Sequence, residues 1–139
     1  MKRRKIRSLS VSEIGMGCMG FSHGYGQVPG AGYAEEAIRE AFGYGCNFFD
    51  TAEGYGKELY YPGHNEEIVG RAVRGFRNEV VIATKLHIRP EAVEDCGSVY
   101  AAVRRHLERS LKNLQIDYVD LYYLHRINME VDNLEVAHA

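Results

Sequence analysis

Four residues of unlike chemistry each stand at the end of a short, largely apolar run in this 139-residue chain. Asp50, with Tyr55 close behind it, follows Cys46-Asn-Phe-Phe; Lys85 follows Val80-Val-Ile-Ala-Thr; His125 follows Tyr118 to Leu124. Singly, each has an ordinary explanation. Asp50 can cap a turn, Tyr55 is one of ten tyrosines, Lys85 can be a solvated loop lysine, and His125 can be a satisfied histidine at a strand end. Jointly they are an acid, a phenol, an amine and an imidazole on one rim, provided the apolar runs are neighbouring strands. A buried lysine pairs with a carboxylate, and an ammonium beside a phenol favours the phenolate. A tyrosine so prepared can serve as a general acid near neutral pH, and an imidazole nearby can orient or polarise a carbonyl oxygen. Gly17 and Cys18 leave an earlier apolar run, Val11 to Gly17, and would reach the same rim.

The elements that must position these residues are read from periodicity. Strands are expected near 12–17, 46–50, 80–84 and 119–124, and the unbroken Val80-Val-Ile-Ala83 suits a strand covered on both faces. Gly15 to Gly32 has no helical period and reads as a loop. From Ala34, the apolar positions Ala37, Ile38, Ala41 and Phe42 recur at helical spacing, with Gly43 or Gly45 as the stop. A second helix takes Asn65 as N-cap and buries Ile68, Val69, Ala72 and Val73. A third runs from Ser98 as N-cap to about Leu114. Strand and helix therefore alternate with no hairpin signal, which predicts a parallel sheet of right-handed crossovers. An open doubly wound sheet and part of a (β/α)8 barrel both satisfy that order; helices all on one face would mark the barrel. The segment after Glu130 reads as too short for a fourth helix.

With 17 Lys and Arg against 19 Asp and Glu, the net charge is −2, which removes the electrostatic case for nucleic acid or an anionic membrane. At 45% hydrophobic and 26% charged, residues 1–139 read as a single globular domain. Cys18, Cys46 and Cys96 have neither framework nor C-x-x-C spacing, so a reducing, cytoplasmic setting is expected. The basic start, Lys2-Arg-Arg-Lys5, is not followed by the apolar stretch of a signal peptide.

In order along the chain, Phe49-Asp-Thr-Ala-Glu-Gly-Tyr-Gly56, Val81-Ile-Ala-Thr-Lys85 and Asp120-Leu-Tyr-Tyr-Leu-His125 resemble the motifs of the aldo-keto reductase superfamily. Asn65-Glu-Glu-Ile-Val-Gly70, Ser110-Leu-Lys-Asn-Leu-Gln-Ile-Asp-Tyr118 and Gly15-Met-Gly-Cys-Met-Gly20 are similar to it too. The resemblance covers about Arg7 to Asn128. It implies a TIM-type (β/α)8 barrel, NADP as cofactor, and reversible hydride transfer between the cofactor and a small aldehyde or ketone. Tyr55 would be the proton donor, Lys85 and Asp50 would ready the phenol, and His125 would hold the carbonyl. Gly17, Cys18 and Met19, with Asp50, would touch the nicotinamide end of the cofactor. A whole barrel needs about 250 residues, so this chain is expected to be the truncated first half. By the same resemblance, it lacks the strands that hold the nicotinamide amide and the phosphates, and its turnover is expected to be weak or lost. The alternative of another class is a non-catalytic half barrel that self-associates through its exposed edges.

Two further patterns fall away. Six histidines invite a metal, but no H-x-H or H-E-x-x-H spacing supports one, and His106 on an apolar helix face reads as a satisfied core histidine. Gly15-Met-Gly17-Cys-Met-Gly20 has dinucleotide-fingerprint spacing, yet the glycine-rich stretch after it offers no helix N-terminus for a pyrophosphate.

Overall fold

Residues 3–12, of which the sequence reading assigned only the end to a strand, fold back on themselves. Arg3–Ile6 (β1) pairs antiparallel with Leu9–Ser12 (β2), and Arg7, at φ 51°, takes the left-handed corner of the turn. Two-residue hairpin turns usually announce themselves by Asn or Gly; Arg7-Ser8 does not, and the basic residues mask the pairing. The expected strand over 12–17 shrinks accordingly to Met16–Gly17 (β3). The computed structural model describes residues 1–24 and 26–139.

The remaining elements are Ala31–Gly43 (α1), Phe48–Asp50 (β4), His64–Val73 (α2), Val81–Leu86 (β5), Pro90–Cys96 (α3), Val99–Leu114 (α4), Leu121–Leu124 (β6) and Asn133–His138 (α5). Two of these correct the sequence reading. The α3 helix has Pro90 in its first turn, where a missing N–H costs nothing, and Gly97 in the left-handed conformation behind it. The α5 helix forms in the tail because the Asp132 carboxylate accepts from the amides of Leu134 and Glu135. The long α4 starts as expected, with Ser98 Oγ accepting from Ala101 N at 3.1 Å.

Strands β3, β4, β5 and β6 form one parallel sheet in sequence order. Right-handed crossovers between sequential strands all fall on the same side, and α1, α2 and α4 do pack side by side, α1 on α2 and α2 on α4. This is the one-sided arrangement of a barrel wall. The pleat then sorts the side chains. Phe49, Ile82, Ile68, Ile38 and Leu114 are fully buried between sheet and helices, each worth about 1.5–3 kcal/mol of burial. A second cluster joins Leu86, Tyr122 and Leu124 to Ile88, Val103 and Val136. Gly17, Asp50, Ala83 and Leu121 lie in one row across the four strands, and Lys85 pairs with Tyr123 two residues further on. Asp50 and Lys85 thus share the face turned away from the helices.

One close approach sets the spacing of the helical layer. A Cβ on Gly70 of α2 would lie 2.1 Å from the Leu114 carbonyl oxygen, so α2 and α4 meet backbone to backbone there. Among the described residues, no helix is long and apolar enough to cross a membrane.

Candidate active site

At the exit of β4 and β5 the Lys85 ammonium reaches three oxygens. It donates to Asp50 Oδ1, to the Thr51 carbonyl at 2.8 Å, and to the Tyr55 hydroxyl at 3.2 Å. The Lys85 side chain is 14% exposed and that of Asp50 30%, so the pair is screened on the sheet side and open above. His125, leaving β6, meets the Tyr55 ring edge to face, with centroids 5.4 Å apart and planes at 83°. Burial pushes the His125 imidazole below its ordinary value, and the neighbouring cations, Lys85 foremost, push it the same way. Near neutral pH it is therefore uncharged, with one N–H to donate and one nitrogen to accept. Tyr55 and His125 line a cleft of about 720 Å³ with Met19, Glu53, His87 and Arg126.

The structure brings together Asp50, Tyr55, Lys85 and His125. It treats Gly17, at the end of β3, and the two residues after it differently. Gly17 is exposed, and a Cβ there would meet nothing within 4 Å, so the space over it is open. Met19 borders the cleft. Cys18 is fully enclosed: its thiol packs in the helix-side core, its amide donates to Asp50 O at 2.8 Å, and its carbonyl accepts from Asn65 Nδ2 at 2.8 Å. Burial pushes the thiol up to about 12. Cys18 therefore offers no atom to a bound molecule, a correction to its expected contact with the cofactor.

The family model described as the aldo/keto reductase family matches residues 13–139. The chain belongs to the aldo/keto reductase family. It is 36% identical over 144 residues to the uncharacterized oxidoreductase YqkF of Bacillus subtilis, covering 97% of this chain and 42% of that protein. It is 38% identical over 133 residues to aldo-keto reductase yakc (NADP(+)) of Schizosaccharomyces pombe, covering 91% and 37%. Among solved structures, aldo-keto reductase AKR11C1 from Bacillus halodurans, in its holo form, superimposes with a TM-score of 0.78 at 31% identity. An aldo-keto reductase from Klebsiella pneumoniae in complex with NADPH does so with 0.76 at 30%. Each match covers 99% of this chain and 44% of the other. The chain therefore spans less than half the length of these relatives.

Several residues that hold the site together have roles the sequence reading did not give them. Asn65, expected as the N-cap of α2, is instead its second residue, and Gly63, at φ 93°, takes the cap position. The Asn65 amide, fully buried, instead donates to Cys18 O and Ser22 Oγ, both at 2.8 Å, and accepts from Thr51 Oγ1 at 2.7 Å. It ties the loop after β3 to the exit of β4. Glu66, also fully buried, accepts from Thr84 Oγ1 at 2.7 Å and Asn113 Nδ2 at 2.9 Å. Burial pushes its carboxyl up, against the pull of those donors. Asn65 and Glu66 look like an ordinary polar helix start; the only sequence signal was their place in the Asn-Glu-Glu-Ile-Val-Gly70 motif. His106 is the buried, satisfied histidine expected, with Nδ1 2.7 Å from Glu53 Oε2.

Proposed function

We propose that this chain supplies the proton-donating side of an NADP-dependent reductase of small aldehydes and ketones, with Tyr55 as the donor. The observation that carries the reading is the Lys85 ammonium bonded at once to Asp50 and to the Tyr55 hydroxyl, beside a neutral His125. A phenol left negative after proton transfer is stabilised by an adjacent cation, and Asp50 holds that cation in place. The carbonyl oxygen of a substrate in the cleft accepts from Tyr55 and is steadied by His125, so charge developing on oxygen is met by fixed donors. Gly17, paired across the sheet with Asp50, has open space over it, and Met19 borders the cleft, which leaves room for a flat ring laid across the strand ends. Those residues would hold the nicotinamide end of NADP(H), which supplies or accepts the hydride when bound. The named cofactors of the yeast and Klebsiella relatives support that choice. The three cysteines, all free, support a reducing cytoplasmic setting.

The chain spans 36–42% of the curated relatives, so the 139 residues alone are expected to turn over weakly. The test is NADPH consumption with a panel of aldehydes and quinones at high cofactor concentration, wild type against Tyr55→Phe. Slow consumption that disappears in the variant, with the cofactor-induced change in protein fluorescence retained, is the expected result. Equal consumption by both proteins refutes the assignment. A second reading rests on the outer edges of β3 and β6, which have no strand beside them among the described residues. Such edges favour association of two copies, which a solution mass of twice 15.7 kDa would show.

A further inference from the structure

The loop that carries Tyr55 is fastened by a residue with no part in the chemistry itself. Glu53 lies two positions before Tyr55 and is 6% exposed. Its backbone amide donates to Lys85 O at 3.2 Å, and its carbonyl accepts from Gly63 N at 2.8 Å. Its side chain goes further. Oε1 accepts from His87 N at 2.8 Å; Oε2 accepts from His106 Nδ1 at 2.7 Å and Arg109 Nη2 at 2.8 Å. An ionised carboxylate only accepts, so His106 Nδ1 must carry the hydrogen, and the 3.1 Å approach of Arg109 Nη2 to it is a contact between two donors to one oxygen. Burial pushes the Glu53 carboxyl up, but the bonds from His106, the His87 amide and Arg109 outweigh it, and it titrates below its ordinary value.

We infer that Glu53 is a positioning residue for Tyr55: its buried carboxylate pins the Tyr55 loop to the β5 exit and to α4, fixing the phenol against Lys85 and His125. The inference rests on reading Tyr55 as the proton donor. What makes the charge matter is the donor set. Three N–H groups converge on one carboxylate, and two belong to side chains that accept nothing in this arrangement. A glutamine of the same shape must turn an N–H₂ toward one of those donors, so one side of the fastening opens while the volume is unchanged. The Tyr55 loop then keeps the two backbone bonds of residue 53 but only part of its side-chain fastening, and a displacement of about 1 Å at a reacting group can cost about 100-fold in rate.

The test reads the position of Tyr55 directly and needs no turnover. With the Tyr55 ring centroid 5.4 Å from that of His125, its ring current displaces the His125 carbon-bound protons, measurable by NMR near neutral pH, where the imidazole is neutral. Tyr55→Leu identifies the displacement by removing it. Glu53→Gln should lose more than half of it while the far-ultraviolet CD and the shifted core methyl signals stay as in wild type. Glu108→Gln, on the exposed face of α4 and paired to Arg104, should keep it whole. Full retention in Glu53→Gln overturns the inference. If Glu53→Gln loses the core signals as well, His106→Asn and Arg109→Gln decide, since each removes one donor and leaves the carboxylate: partial loss in both supports the role, full retention in both refutes it. If Tyr55→Leu changes nothing at His125, the site reading itself is wrong, and the role of Glu53 falls with it.

Discussion

Gly70→Ala tests how tightly the helical layer is set, and through it the site. The added Cβ would stand 2.1 Å from Leu114 O, 2.6 Å from Leu114 C and 2.8 Å from its Cα, all backbone atoms at the end of α4. Ordinary contact begins at 3.4 Å, so the helices must part by about 1.3 Å or α2 must rotate. No side-chain rotamer can absorb this. Overpacking of a well-filled site costs about 1–3 kcal/mol, and a backbone obstacle places this case at the upper end. Alanine returns about 1 kcal/mol of helix propensity, leaving a net loss near 2 kcal/mol. Asn65 and Glu66 ride on the same helix, so the parting also pulls at Cys18 O and Thr84. Urea unfolding followed by CD measures the loss as a lower midpoint at unchanged slope. Gly32→Ala, in the first turn of α1 with nothing within 4 Å of its Cβ, should lose nothing. A Gly70→Ala midpoint equal to or above wild type would refute the close-approach argument.

Lys85→Met should abolish NADPH consumption in any preparation where wild type shows it, with a small change in the urea midpoint, because Asp50 is open enough for water to replace the ammonium. Glu53 and Glu66 should tilt the pH dependence of stability in opposite senses. Glu53 titrates below its unfolded value when folded, so its contribution is present above the ordinary carboxylate range and fades as pH falls through the folded value; Glu53→Gln should flatten that acid limb of the midpoint-versus-pH curve. Glu66 titrates above its unfolded value, so its contribution is full at low pH and fades as pH rises through the folded value. Glu66→Gln should keep or raise the midpoint at neutral pH, whereas Glu66→Ala, which strands Thr84 Oγ1 and Asn113 Nδ2, should lower the stability by about 1–3 kcal/mol. Ser98→Ala removes the α4 cap and should cost about 1 kcal/mol by the same measurement.

The sheet and its helices were legible where local rules and tertiary demands agree. Val80 to Ala83 is apolar on both faces because helices cover one side of β5 and the inner face of the sheet lies on the other. Ser98 sits one residue before an apolar period, as a cap should. The site was legible because each reactive residue ends or follows an apolar run; the register, seen only in the fold, then sets Asp50 opposite Ala83, so Lys85, two residues on, shares its face. What stayed hidden depends on contacts far apart in sequence. Asn65 reads as a cap because Asn favours caps; only the folded chain shows Cys18, Ser22 and Thr51 waiting for its amide. Glu53 reads as one more acid in a polar loop, since His87, His106 and Arg109 are 34 to 56 residues away. The α3 helix carried its own signals, Pro90 and Gly97, but is short enough to pass for a loop.

The lysine in the site has a fixed number of hydrogens, and counting them gives the phenol a direction. An ammonium carries three, and Asp50, the Thr51 carbonyl and the Tyr55 oxygen take one each. Nothing remains for a fourth acceptor, so Lys85 cannot itself reach for a carbonyl without surrendering a bond it already has. The Tyr55 oxygen, having accepted from below, is left with a single hydrogen that cannot point back at the ammonium. That hydrogen is left for an acceptor in the cleft that Tyr55 and His125 line. Saturating the lysine beneath thus keeps the phenol's one hydrogen uncommitted to the ammonium before any carbonyl compound arrives, and a molecule entering the cleft can take it without displacing a bond to Lys85.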